Sequence, residues 1–139
     1  MGARILVVED NEQNLQLTSF LLEAFGHLAI EARSGLEGVE RARTQRPDLV
    51  LLDIQMPEMD GFETLAEMRT LSELEGTPIV ALTALAMVGD RETGLAAGFD
   101  GYITKPITPE SFAAHIDEFL PEGSKSVLRP RRERRADAE

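Results

Sequence analysis

Cysteine is absent from the 139 residues, which excludes a disulfide framework, a thiolate zinc site and a cysteine nucleophile and fits a reducing compartment. Proline, at seven residues, stays at the ordinary level of ~5%, and with 42% hydrophobic and 28% charged side chains the composition is that of a globular chain, neither disordered nor fibrous. Long apolar runs are missing too. The longest, Ile79 to Val88, is broken by Thr83 and falls well short of the ~20 residues a membrane span needs. Ile5-Leu6-Val7-Val8 stops at Glu9, so no secretory signal is expected.

Positive charge is in short supply, and what there is lies unevenly. The net charge is −11, yet Gly123–Glu139 carries six basic residues (Lys125, Arg129, Arg131, Arg132, Arg134, Arg135) against three acidic ones. Residues 1–122 are left with eight basic and twenty-two acidic side chains, which opposes a DNA-binding face on the body. The division expected is one folded domain over 1–122 and a basic, disordered tail over 123–139.

The body alternates short β-branched runs with amphipathic stretches. Ile5–Val8, Leu28–Ile30, Leu49–Leu52, Ile79–Leu82 and Tyr102–Ile103 read as strands; the first and third are continuously apolar, as in a parallel sheet covered on both faces. Leu17, Phe20, Leu21 and Ala24 keep helical spacing and predict the buried stripe of the first helix; Phe112, Ile116, Phe119 and Leu120 do so for the last. Ser34-Gly35-Leu36-Glu37 predicts a capping box, Pro47 a helix end, Thr108-Pro109 an N-cap with a first-turn proline, and Gly26 and Gly98 helix C-termini. Met87–Ala97, with two internal glycines, is the weakest helical pattern. Strict alternation implies βαβ crossovers, hence an α/β fold: a doubly wound, flavodoxin-like sheet of five parallel strands with five helices.

Chemistry-bearing residues fall at the carboxyl ends of these strands: Glu9 and Asp10 after the first, Asp53 after the third, Thr83 after the fourth and Lys105 after the fifth. Ligands of open α/β sheets bind outside those ends, where strand order reverses. If the order is 2-1-3-4-5, the reversal falls between strands one and three, and three carboxylates would share one pocket. Like charges at 4 Å repel by about 1 kcal/mol in water and about 4 kcal/mol at an effective dielectric of 20, so the cluster needs a counter-charge or a retained proton. Lys105 offers one positive charge, and oxygen donors of this kind suit Mg²⁺. A carboxylate can attack phosphorus, and Asp53 is the best placed nucleophile, with Glu9 and Asp10 as a metal-holding pair. Taken singly, Asp10 or Asp53 reads as an ordinary helix N-cap; taken with Lys105, the set does not. His27 and His115 lack ligand-spaced partners and read as structural.

Val7-Val8-Glu9-Asp10-Asn11, the run Asp53-Ile54-Gln55-Met56-Pro57-Glu58-Met59-Asp60-Gly61, Leu82-Thr83-Ala84 and Lys105-Pro106 resemble, in this order, the signature motifs of bacterial response-regulator receiver domains over residues 4–120. The resemblance implies a stand-alone, cytoplasmic two-component signalling protein, not an enzyme beyond its own phosphorylation and dephosphorylation. Asp53 would accept phosphate from a histidine kinase or histidine phosphotransfer protein in a phosphorelay. Glu9, Asp10, Asp53 and the Gln55 carbonyl would hold Mg²⁺, while Thr83, the Ala84 N–H and Lys105 would meet the phosphoryl oxygens. Thr83 and the aromatic Tyr102 would be the switch pair, reading out to a downstream protein partner as a monomer or weak homodimer. The seventeen residues from Gly123 are too few for an effector domain, so direct DNA binding is not expected, and with no apolar run long enough to span a bilayer no membrane partner is expected either. Two rivals are a phosphorylation-independent adaptor and a Mg²⁺-dependent phosphohydrolase working through an aspartyl phosphate. The second is disfavoured by Gln55 two residues after Asp53, where such enzymes carry a second aspartate.

Overall fold

A computed structural model describes residues 2–54, 61–83, 98–104 and 107–120. Five parallel strands, β1 (Arg4–Val8), β2 (Leu28–Ala32), β3 (Leu49–Asp53), β4 (Ile79–Thr83) and β5 (Gly101–Thr104), form one sheet in the order β2-β1-β3-β4-β5. The described helices are α1 (Glu12–Ala24), α2 (Gly35–Gln45), α3 (Gly61–Arg69) and α4 (Pro109–Asp117), with a 3₁₀ turn at Ser72–Leu74. The helix expected over 87–97 and the tail over 123–139 lie outside the described residues. No described helix is long and apolar enough to cross a membrane.

Period-two alternation sends successive strand side chains to opposite faces. Ile5 and Val7, Leu49 and Leu51, Val80 and Leu82, and Ile103 pack with Leu15 and Leu22 of α1 and Phe112 and Ile116 of α4. Leu6 and Val8, Val50 and Leu52, and Ile79 and Ala81 pack with Ala42 of α2 and Leu65 and Met68 of α3. Both faces of the three central strands are therefore dry, which is why their runs are apolar without a break.

Helix boundaries follow local chemistry. The Ser34 hydroxyl accepts from the Glu37 N–H at 3.1 Å, while the Glu37 carboxylate accepts from the N–H of Arg33 at 2.8 Å, one residue earlier than in a standard capping box. Gly26 and Gly98 adopt φ of 94° and 115°, values open to glycine and strained for other residues. Thr108 stands at the α4 N-cap position but its side chain makes no capping hydrogen bond, against expectation.

The first-helix stripe also differs from expectation. Leu21 is buried as expected, but Leu17 and Phe20 are 46% and 69% exposed and Ala24 is exposed, whereas Leu15, Thr18, Ser19 and Leu22 are buried. The buried face carries two hydroxyls, so apolar spacing alone picks out a neighbouring face of the same helix.

His27 is a buried structural group, as expected, and its Nδ1 accepts the Ala3 N–H at 3.0 Å. Burial pushes its pKa down, partly opposed by the Asp117 carboxylate. The native chain thus refuses a proton that the unfolded chain accepts near pH ~6.5, so stability falls as pH drops below that value towards the lower folded pKa. Chemical denaturation between pH 7.5 and 5.5 is expected to show this slope, and His27→Asn, which keeps an acceptor without titrating, is expected to flatten it. An unchanged slope in the variant would assign the acid sensitivity to other groups.

Candidate phosphoacceptor site

Where β1 ends, the backbone N–H of Glu9 still bonds the Ala32 carbonyl of β2 at 3.0 Å, so Glu9 is held in the sheet and its side chain is 1% exposed. Asn11 then caps α1, its side chain accepting from the Asn14 N–H at 2.9 Å, and its own N–H donates to the Glu9 carboxylate at 3.3 Å. Capping by Asn11 leaves the exposed Asp10 with no such role. Asp53 is the last residue of β3 and 5% exposed, and the next described helix, α3, runs from Gly61.

Because β1 and β3 are neighbours in register, Val8 opposite Leu52, their carboxyl ends emerge side by side. A carboxylate oxygen from each of Glu9, Asp10 and Asp53 lies within 4.8 Å of the other two. At that spacing two buried and one exposed carboxylate repel strongly, and a divalent cation is the natural counter-charge. An all-oxygen donor set on two strand ends fits Mg²⁺, which is held by a few carboxylates and keeps waters for further ligands.

Gly61 holds the far wall. A side-chain carbon there would lie 2.5 Å from the Ile54 Cα and 2.7 Å from the Asp53 carbonyl oxygen, and the Gly61 N–H donates to the Ile54 carbonyl at 2.9 Å. The first turn of α3 thus rests on the backbone that carries Asp53. At the rim, Arg33 grips Glu12 through two bonds of 2.8 and 3.0 Å and reaches Glu31 at 3.3 Å. Those hydrogen bonds, above all from Arg33, hold the Glu12 carboxyl below the usual range and commit Arg33 to the rim.

Thr83 ends β4 and pairs with Thr104 of β5, while Asp53 pairs with Leu82, so Thr83 and Asp53 occupy the same edge of adjacent strands. Tyr102 is half-buried against the core cluster on the α2 and α3 side of the sheet. Gln55, Ala84 and Lys105 lie outside the described residues. The contributions of Asn11, Gly61 and Arg33 were not anticipated from sequence. Asn11 carried a readable signal, an N-cap residue placed directly before a helical pattern, and Gly61 closes one of the quoted motifs; Arg33 carried none.

Residues 5–117 match the family model of the response regulator receiver domain. The chain belongs to that family. Over 120 residues this receiver domain is 42% identical to the polar-differentiation response regulator DivK of Brucella anthropi, covering 86% of this chain and 98% of the relative. In structure it is similar to the chemotaxis protein CheY4 of Vibrio cholerae, with a TM-score of 0.82 and 31% identity over 86% of this chain and all of that one. It also resembles the receiver domain of a Pseudomonas aeruginosa sensor histidine kinase that has a magnesium ion coordinated in its active-site cleft. There the TM-score is 0.79 and the identity 34%, over 86% of this receiver and 98% of the other.

Proposed function

We propose that Asp53 is the phosphoacceptor of a single-domain response regulator, and that Glu9, Asp10, Asp53 and the Gln55 carbonyl hold the Mg²⁺ this reaction uses. The observation that carries the reading is the meeting of three carboxylates within 4.8 Å at the end of two neighbouring strands, with Asp53 nearly buried between a metal-holding pair and the start of α3. An oxygen of Asp53 attacks phosphorus while the bond from phosphorus to the donor's imidazole nitrogen breaks, leaving an acyl phosphate on the protein and a neutralised donor histidine. Magnesium, when bound, supplies charge neutralisation at the phosphoryl oxygens. Glu9 and Asp10 orient the pocket, Lys105 pairs with the transferred group, and Thr83 with the Ala84 N–H closes on it. The added charge, roughly −1.5 to −2 in place of −1, biases Thr83 and Tyr102 and so a protein-binding face.

Incubation of the full chain with acetyl phosphate and Mg²⁺ is expected to add one phosphoryl group at Asp53, detected by intact mass and peptide mapping. Labelling elsewhere, or labelling indifferent to chelation of Mg²⁺, would overturn the assignment.

The protein donor is a histidine kinase or histidine phosphotransfer protein, and the exposed apolar face of α1 offers it a seat. Leu17 and Phe20 lie one turn apart on the helix whose N-terminus borders the acidic cluster. Phe20→Ala is expected to slow transfer from the cognate donor about tenfold, the size of one interface anchor, while labelling by acetyl phosphate is unchanged. Equal slowing with both donors would place Phe20 in folding or chemistry instead of docking.

A further inference from the structure

The strands point their carboxyl ends at the acidic cluster, and α4 runs back the other way, so the chain reaches Leu120 at the opposite edge of the sheet. Two clefts open there. One, of about 540 Å³, is walled by Phe119, Asp100, Gly98 and the Gly76–Pro78 turn. The other, of about 440 Å³, continues from it across Arg69 and Gly76 to Leu71, Ser72 and Glu75. Arg69 sits between them but is neutralised in place, bonding the Thr77 and Gly98 carbonyls at 3.1 Å and the Asp100 carboxylate at 2.6 Å. What remains along this side is acidic: residues 66–76 carry Glu67, Glu73 and Glu75 against that one arginine.

Phe119 and Leu120 bring the chain to the mouth of the first cleft, and the sequence that follows is its most basic stretch. Residues 125–135 hold Lys125, Arg129, Arg131, Arg132, Arg134 and Arg135 with a single acid, Glu133. We infer that this segment docks in cis along the two clefts, its arginines facing Glu67, Glu73 and Glu75. Arg129 lies nine residues beyond Leu120, a reach of up to roughly 30 Å, so the span is not limiting. Charge favours this occupant over an external polyanion: residues 1–122 carry an excess of fourteen negative charges, which repels anionic polymers and surfaces. A tethered cation meets the body at an effective concentration of the order of mM. Docking here would press on the Gly98–Asp100 turn that leads into β5 and Tyr102, joining the tail to the strand that carries the proposed switch residue. The inference does not depend on Asp53 being phosphorylated.

The test compares the full chain with a full-length variant carrying R129Q, R131Q, R132Q, R134Q and R135Q, by amide chemical shifts. Gly76, Thr77, Gly98 and Asp100 are expected to differ between the two at ~0.1 M salt, where charges are felt over ~10 Å. The differences should shrink severalfold at ~1 M, where the range is ~3 Å. E67Q, E73Q and E75Q combined, with the tail intact, should move the same amides in the same direction. Unmoved amides in the arginine variant at either salt would overturn the inference. So would tail resonances that respond only to an added short RNA or to anionic vesicles.

Discussion

Replacing Asp53 by Asn is expected to make the metal-free protein more stable, by about 2 kcal/mol, while abolishing phosphorylation. The substitution keeps shape and removes one of three negative charges gathered within 4.8 Å, two of them on side chains no more than 5% exposed. A single pair at 4 Å costs from about 1 kcal/mol in water to about 4 kcal/mol at an effective dielectric of 20, and Asp53 has two such neighbours. Part of that relief is offset because the new amide must find hydrogen-bond partners in a buried site. Mg²⁺ reaches the same end by another route, adding stability through its binding to the native state alone. Urea unfolding in a chelator should therefore rank the variant above the parent, and millimolar Mg²⁺ should raise the parent's midpoint more than the variant's. If Mg²⁺ raised both midpoints equally, Asp53 would not be part of the cation site.

Gly61→Ala should be costly out of proportion to its one methyl group, destabilising the fold by about 3 kcal/mol and impairing acceptor chemistry as well. The methyl would stand 2.5 Å from the Ile54 Cα and 2.7 Å from the Asp53 carbonyl oxygen, against the ~3.5–4.0 Å at which carbon atoms pack. Both obstacles are backbone and cannot rotate away, so α3 must lift or the Asp53–Ile54 peptide must shift, and either moves the nucleophile. Gly101 provides the control. The three nearest atoms a methyl there would meet all belong to the Phe119 ring, the first at 2.2 Å, and a ring can swing aside. Gly101→Ala should thus lose less stability and leave acetyl-phosphate labelling intact. Equal labelling rates for the Gly61 variant and the parent would show that the α3 contact does not position Asp53.

Much of this site was legible in the chain itself. Strands buried on both faces read as unbroken apolar runs, so β1 and β3 ended visibly at Glu9 and Asp53, and alternation with helices required parallel strands with carboxyl ends on one edge. The signature motifs placed Glu9, Asp10, Asp53 and Thr83 on that edge, and the strand register puts Asp53 and Thr83 there as neighbours. The buried face of α1 was misread because Thr18 and Ser19 lie inward while Leu17 and Phe20 face solvent; hydrophobicity marks a helical period but not which face meets the sheet.

By itself, then, the order of residues determined the architecture, the rim on which the polar groups gather and the family, since each follows from local pattern and from motifs in register. Tertiary structure alone decided the carboxylate spacing, the seat of Gly61 on the Asp53 backbone, and the clefts where α4 ends. These are distances between segments remote in the chain, and packing sets them where no local preference can.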